Sequence, residues 1–194
     1  MYADIEKSPN IHFSWRSGYK ISLPPSTIIR ERAIICVCYK WEGKKKVHSI
    51  KWDRWDDKRL LEEFTAVMNQ ADEIVGHNGD KFDWKWVRGR NLINDLPPLP
   101  EYRTFDTLAQ SRKLFYFNSH TLDYLAYILL GKRKIKTDHT LWDDICLDNC
   151  PQAMAKMVKY CKRDVTLLEE LYHKIIPYAK TTTHAGVSDG NGRW

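Results

Sequence analysis

"RAIICVCYKWEGKKKVHSIKW", residues 32–52, sets the architecture. Two runs rich in β-branched and aromatic residues flank a polar, glycine-containing stretch, Glu42 to Lys46. That pattern reads as strand, turn, strand, an antiparallel hairpin. After it the periodicity changes. Leu60, Leu61, Phe64 and Met68 recur at helical spacing, and Asp56 and Asp57 stand where a cap belongs, so "KRLLEEFTAVMNQ" reads as a helix. "EIVGHN" then reads as a short strand and "FDWKWVRGRNLI" as a helix. Pro97, Pro98 and Pro100 break the chain before "YRTFDTL", a strand that passes into a helix. "SHTLDYLAYILL" has a cap at Ser119 and stops before Gly131, "GKRKIKTDH" is a basic loop, and a long helix covers about 151–178. Ahead of the hairpin, "MYADIE" alternates like a strand and "KSPNIHFSWRSGYKISLPPSTI" reads as an extended connection. A hairpin followed by alternating helices and short strands implies an α/β domain of three layers, a mixed central sheet flanked by helices.

The 194 residues suit one domain with a sizeable core, expected over 1–178 and followed by a flexible tail over 179–194. With 43% hydrophobic residues and no internal repeat, the chain reads as globular rather than disordered. No apolar run is long enough to span a bilayer, and the start lacks a basic-then-apolar signal pattern. Five cysteines without a CxxC pair point to reduced thiols and a cytoplasmic setting; a zinc site built on Cys146 and Cys150 lacks a second pair. The net charge of +6 favours a polyanionic partner over a membrane.

Against that basic background, certain carboxylates stand apart. Asp4 and Glu6 are two apart on a strand and so share a face. Asp83 follows a strand end, where functional groups collect in open α/β sheets. Tyr160 and Asp164 are four apart on the long helix, so a phenol and a carboxylate project to one side. Each alone has an ordinary structural reading. Packed together, four carboxylates repel unless cations separate them, and an all-oxygen set selects Mg²⁺ or Mn²⁺ rather than zinc.

"DIE" at 4–6, "VGHNGDKFD" at 75–83 and "YCKRD" at 160–164 resemble, in order and spacing, the three exonuclease motifs of the DEDD superfamily, whose fold is ribonuclease H-like. The Tyr-x-x-x-Asp form of the third motif is similar to the exonuclease domains of family B polymerases and their stand-alone relatives. Where the histidine variant needs His, this chain has Lys159. The resemblance implies a 3′–5′ exonuclease that hydrolyses the terminal phosphodiester of single-stranded nucleic acid and releases nucleoside 5′-monophosphates. It implies two divalent cations, Mg²⁺ or Mn²⁺, with Asp4 bridging both, Glu6 and Asp164 on one, and Asp83 reaching its ion mainly through water. Tyr160 would orient the attacking group rather than deprotonate it, since a phenol near pKa 10 is a poor base.

Asn78, Lys81 and Trp84 are candidates to grip the strand, with Trp84 and Trp86 on opposite sides of their helix so that at most one faces substrate. The basic loop Lys132, Arg133, Lys134 and Lys136 is a further candidate that could equally be a solvated connection. Lys7 stands where the family often has Thr, and is expected either to contact a substrate phosphate or to perturb metal binding. Trp15 and Tyr19 could stack on bases or be buried, Asp106 is expected to cap, and Asp123 to border the site without binding metal. DNA is favoured over RNA as substrate. The alternatives are a ribonuclease D-like exoribonuclease, an endonuclease on the same fold, and a non-catalytic nucleic-acid-binding module.

Overall fold

The computed structural model describes residues 1–18 and 20–179. Tyr19 and residues 180–194, most of the expected tail, lie outside them.

In chain order the strands are β1 (Tyr2–Lys7), β2 (Ile11–His12), β3 (Ile28–Arg30), β4 (Ile34–Lys40), β5 (Val47–Lys51), β6 (Glu73–Gly76) and β7 (Arg103–Asp106). The helices are α1 (Lys58–Met68), α2 (Asp83–Ile93), α3 (Thr107–Leu114), α4 (Leu122–Leu130), α5 (Thr140–Cys146) and α6 (Pro151–Ile175). Five strands form one sheet in the order β5-β4-β1-β6-β7, with β2 and β3 pairing separately. β4 is antiparallel to β1 and β5, whereas β6 runs parallel to β1 and β7. The expected mixed sheet is present, and β1 lies at its centre.

Burial explains the layers. Alternate residues of β4 face opposite ways. Cys36 and Cys38 face α6, while Tyr39 packs on Phe64 of α1, whose Leu60, Leu61 and Met68 are also buried. α6 presents Met157, Cys161, Val165, Leu168 and Leu171 as its buried stripe, all 1% exposed or less. Truncating one of these leucines to Ala would cost about 2–5 kcal/mol, the usual penalty for a cavity of that size in a packed core.

Several local expectations are corrected. Asp57 precedes α1 but does not cap it; its carboxylate is buried and ion-paired with Arg90 of α2, both donors at 2.8 Å. The cap of α4 is Thr121, not Ser119, while Gly131 closes the helix at φ 67°, a left-handed conformation that favours glycine. α5 lies between the basic loop and the long helix, where the sequence pattern assigns no element; seven residues hold too little periodicity to reveal it. The long connection after β1 contains the β2–β3 pair. The last helix ends at Ile175, and a 3₁₀ turn covers Ile176–Tyr178.

Candidate nuclease site

β1 delivers Asp4 and Glu6 on one face, directly opposite Cys38 and Cys36 of β4. α6 crosses that face and adds Asp164. The result is three carboxylates whose ligand oxygens lie within 4.8 Å of one another, gathered from both ends of the chain. Asp83, the first residue of α2, is fixed beside them because its Oδ1 accepts the Ile5 backbone N–H at 3.2 Å. Its charge raises the pKa of Asp4, so all four expected acidic residues act on one another.

The electrostatics follow from crowding and burial. Desolvation raises Asp4 well above the usual carboxylate range, with Asp83, Glu6 and Asp164 adding to it. Glu6 is pushed up to about 8 by desolvation and then by Asp164, and Asp83 to about 7, again chiefly by desolvation. Asp164 is also raised by burial. Such a cluster is poised to take cations, because neutralising charge would relieve both repulsion and desolvation. The donor set fits a hard divalent ion: it is all oxygen, and Asp164 Oδ1 is buried with no hydrogen-bond partner.

One cation of the chain already reaches this cluster. Lys134 Nζ lies 2.6 Å from Asp164 Oδ2 and 4.9 Å above the Tyr160 ring. The lysine is placed by the turn after Gly131, where Asp123 accepts the Lys134 backbone N–H at 2.9 Å and the Arg133 guanidinium at 2.8 Å. Sequence reading grouped Lys134 with a strand-gripping loop. Nothing in "GKRKIKTDH" marks which lysine turns inward. Tyr160, one helical turn before Asp164, has its hydroxyl pushed up to about 12, first by burial and then by Asp164. It therefore stays protonated at neutral pH.

The expected strand-gripping residues divide. Trp84 is corrected: at 1% exposure it is core, stacked 6.5 Å from Phe64. Its indole occupies the space a Cβ would need at Gly79, where the nearest atoms would stand at 2.8 Å. Asn78, at φ 69°, and Lys81 line a groove with Asp106, Arg112 and Lys113. Asp106 caps α3 by accepting the Leu108 and Ala109 N–H groups, as expected, and also receives the Asn78 N–H at 2.9 Å.

Lys7 follows a β-bulge after Glu6, which breaks the alternation there. Its ammonium lies 5.1 Å over Trp86 and 5.7 Å over Phe82, and Arg32 lies 5.7 Å over the same Trp86. Sequence reading missed Arg32, whose buried Nε has no partner. Trp15 is 90% exposed and meets Phe13 edge-on, so it is not core. His77 is satisfied by Thr107 and the His120 carbonyl and carries no chemistry of its own. Among the described residues no helix is long and apolar enough to cross a membrane.

Comparison with known proteins bears on the family and the fold. The family model RNase_H_2, of the RNase_H superfamily, matches residues 30–176. A DNA polymerase of Methanocaldococcus jannaschii is 26% identical over 134 residues, covering 58% of this chain. The chain spans 8% of that relative's length. The structure of the family B DNA polymerase from Pyrobaculum calidifontis superposes with a TM-score of 0.68 at 19% identity, covering 91% of this chain and 24% of the polymerase. That last likeness is one of fold.

Proposed function

This chain belongs to the RNase_H superfamily, and from that premise we propose that it is a 3′–5′ exonuclease. It removes nucleoside 5′-monophosphates from the 3′ end of single-stranded nucleic acid, DNA in preference to RNA, with two divalent cations, Mg²⁺ or Mn²⁺. The observation that carries the reading is the convergence of Asp4, Glu6 and Asp164 within 4.8 Å, with one buried carboxylate oxygen left unpartnered. The resemblance of two DNA polymerases supports DNA as the first substrate to test.

Asp4, Glu6, Asp83 and Asp164 would hold the ions, which when bound acidify a water and offset charge developing on the phosphate. The protein's own part is positioning. Asp4 and Glu6 are fixed by the pairing of β1 with β4, and Asp83 by its hydrogen bond from Ile5. Tyr160 presents a protonated hydroxyl at the same turn as Asp164, suited to orienting a water and unsuited to removing its proton. Lys134 holds Asp164 in place and supplies positive charge beside it. Lys7 and Arg32, both resting on Trp86, would offer positive charge to the phosphates of a strand, and Asn78 and Lys81, lining one groove, would contact its end nucleotide.

The test is a product ladder from 5′-labelled single-stranded DNA and RNA, side by side, with Mg²⁺ or Mn²⁺ and with chelator. Stepwise shortening with release of monophosphates, abolished by chelator, is expected, and a circular single strand should survive. Binding without shortening would make the chain a non-catalytic module, and a linearised circle would make it an endonuclease. Tyr160→Phe should slow shortening roughly tenfold, the scale of losing one orienting hydrogen bond. An unchanged rate would remove Tyr160 from the reaction.

A further inference from the structure

We propose that Cys36, Cys38 and Cys161, together with the Asp4 carboxylate, form a site for one thiophilic cation of the Zn²⁺ class. This site lies immediately behind the carboxylates described above and shares Asp4 with them.

The placement follows from register. Cys38 stands opposite Asp4 and Cys36 opposite Glu6, so two thiols and two carboxylates project from adjacent strands toward α6. α6 closes the group with Cys161. All three cysteines are fully buried and reduced, and their sulfurs lie within 4.8 Å of one another. Tetrahedral zinc with Zn–S bonds near 2.3 Å needs sulfurs about 3.8 Å apart, so the trio would contract by roughly 1 Å or less. The fourth donor is already in range. Cys161 Sγ is 3.7 Å from Asp4 Oδ2, against about 3.6 Å expected between a sulfur and an oxygen on one tetrahedral zinc. The carboxylate side also supplies a way in, because Asp4 and Glu6 are only half-buried while the thiols are sealed from every other direction.

Donor chemistry separates this site from the hard-ion cluster. Three thiolates select zinc, cadmium or cobalt over magnesium and manganese. Binding forms three metal–sulfur bonds and one bond to an Asp4 oxygen, and the three thiol protons, with the Asp4 proton where the carboxyl carries one, pass to solvent. Because Asp4 would serve both sites, a bound thiophilic ion withdraws it from the hard-ion cluster. That consequence rests on the proposed exonuclease reading; the binding itself does not.

The experiment uses the full, reduced, metal-stripped chain titrated with Co²⁺, followed by its absorption, and then with Zn²⁺ as competitor. A thiolate charge-transfer band with tetrahedral d–d absorption, saturating at one equivalent and displaced by Zn²⁺, is expected. A Cys146→Ser/Cys150→Ser double variant keeps only the three thiols of the site and should retain the full band. Cys161→Ser should weaken Co²⁺ binding more than the roughly tenfold loss that follows from disturbing an outer-shell partner. Absence of the band in the parent chain, or its loss in the double variant, overturns the proposal. The double variant decides the matter even if Cys161→Ser does not fold. Nuclease assays run in parallel keep the two readings separate. A Co²⁺ band from a chain that, metal-stripped and given Mg²⁺ or Mn²⁺ alone, hydrolyses nothing defeats the exonuclease reading and leaves the site standing, whereas zinc inhibition without a Co²⁺ band places zinc on the carboxylates and removes the thiol site.

Discussion

Asp57 and Asp164 are equally hidden, with side chains 0% and 2% exposed, yet they are treated in opposite ways. Asp57 receives two guanidinium donors from Arg90 at 2.8 Å, the Asn94 amide at 3.0 Å and the Ile34 backbone N–H at 2.9 Å. Its charge is matched and both oxygens are occupied, so it ties α1, α2 and β4 together as a structural strut. Asp164 has Lys134 and the Tyr160 hydroxyl as partners, one oxygen with no hydrogen bond, and further carboxylates beside it. A saturated buried carboxylate supports the fold; an unsaturated one among its own kind is held ready for something else.

Mutation should pull the two regions in opposite directions. The largest change in stability is expected from Asp57→Ala, which strands the Arg90 guanidinium at 8% exposure; the cost is about 3–5 kcal/mol by urea denaturation. A loss below 1 kcal/mol would show that the strut is dispensable. Asp4→Asn should act the other way. Hydrolysis falls by on the order of 100-fold or more, while the melting temperature of the metal-free protein holds or rises, since one of four mutually repelling groups is gone. Destabilisation on the scale of Asp57→Ala would erase the contrast.

Lys134→Met comes next. It leaves Asp164 without its cation, at about 1–3 kcal/mol in chelator, and added Mg²⁺ should recover most of that loss. Equal losses with and without Mg²⁺ would mean that the lysine serves packing alone. The last expected effect is on pH dependence. Glu6, near 8, and Asp83, near 7, bind protons in the folded chain that the unfolded chain has already released above pH 4.5. The stability of the metal-free protein therefore falls from pH 5 to pH 8, read as a declining melting temperature in chelator. Mg²⁺ should flatten that slope.

Much of this was legible beforehand. The hairpin, the long last helix and the acidic triplet pattern are written in local periodicity and spacing, and the five-stranded sheet assembled as those signals imply. Asp4, Glu6 and Asp164 could be brought together on paper because each sits on a strongly periodic element. Lys134 could not, since its inward turn depends on Asp123 anchoring a loop whose four basic residues look alike. Trp84 was misread because helix position alone does not say which face meets the sheet; the two glycines before it, Gly76 and Gly79, were the available clue. Asp57 had the right position for a cap and a better partner in a distant helix, which local sequence does not reveal.

The indole lodged against Gly79 carries one last implication. A methyl group there would collide with the tryptophan ring at 2.8–3.1 Å, and that ring belongs to the residue next to Asp83. The first turn of α2 thus abuts the glycine loop like a wedge. Any enlargement of the loop would shift the fourth acid relative to the other three without altering any of them. Spacing within the acidic quartet can then be tuned from a position that touches neither cation nor substrate.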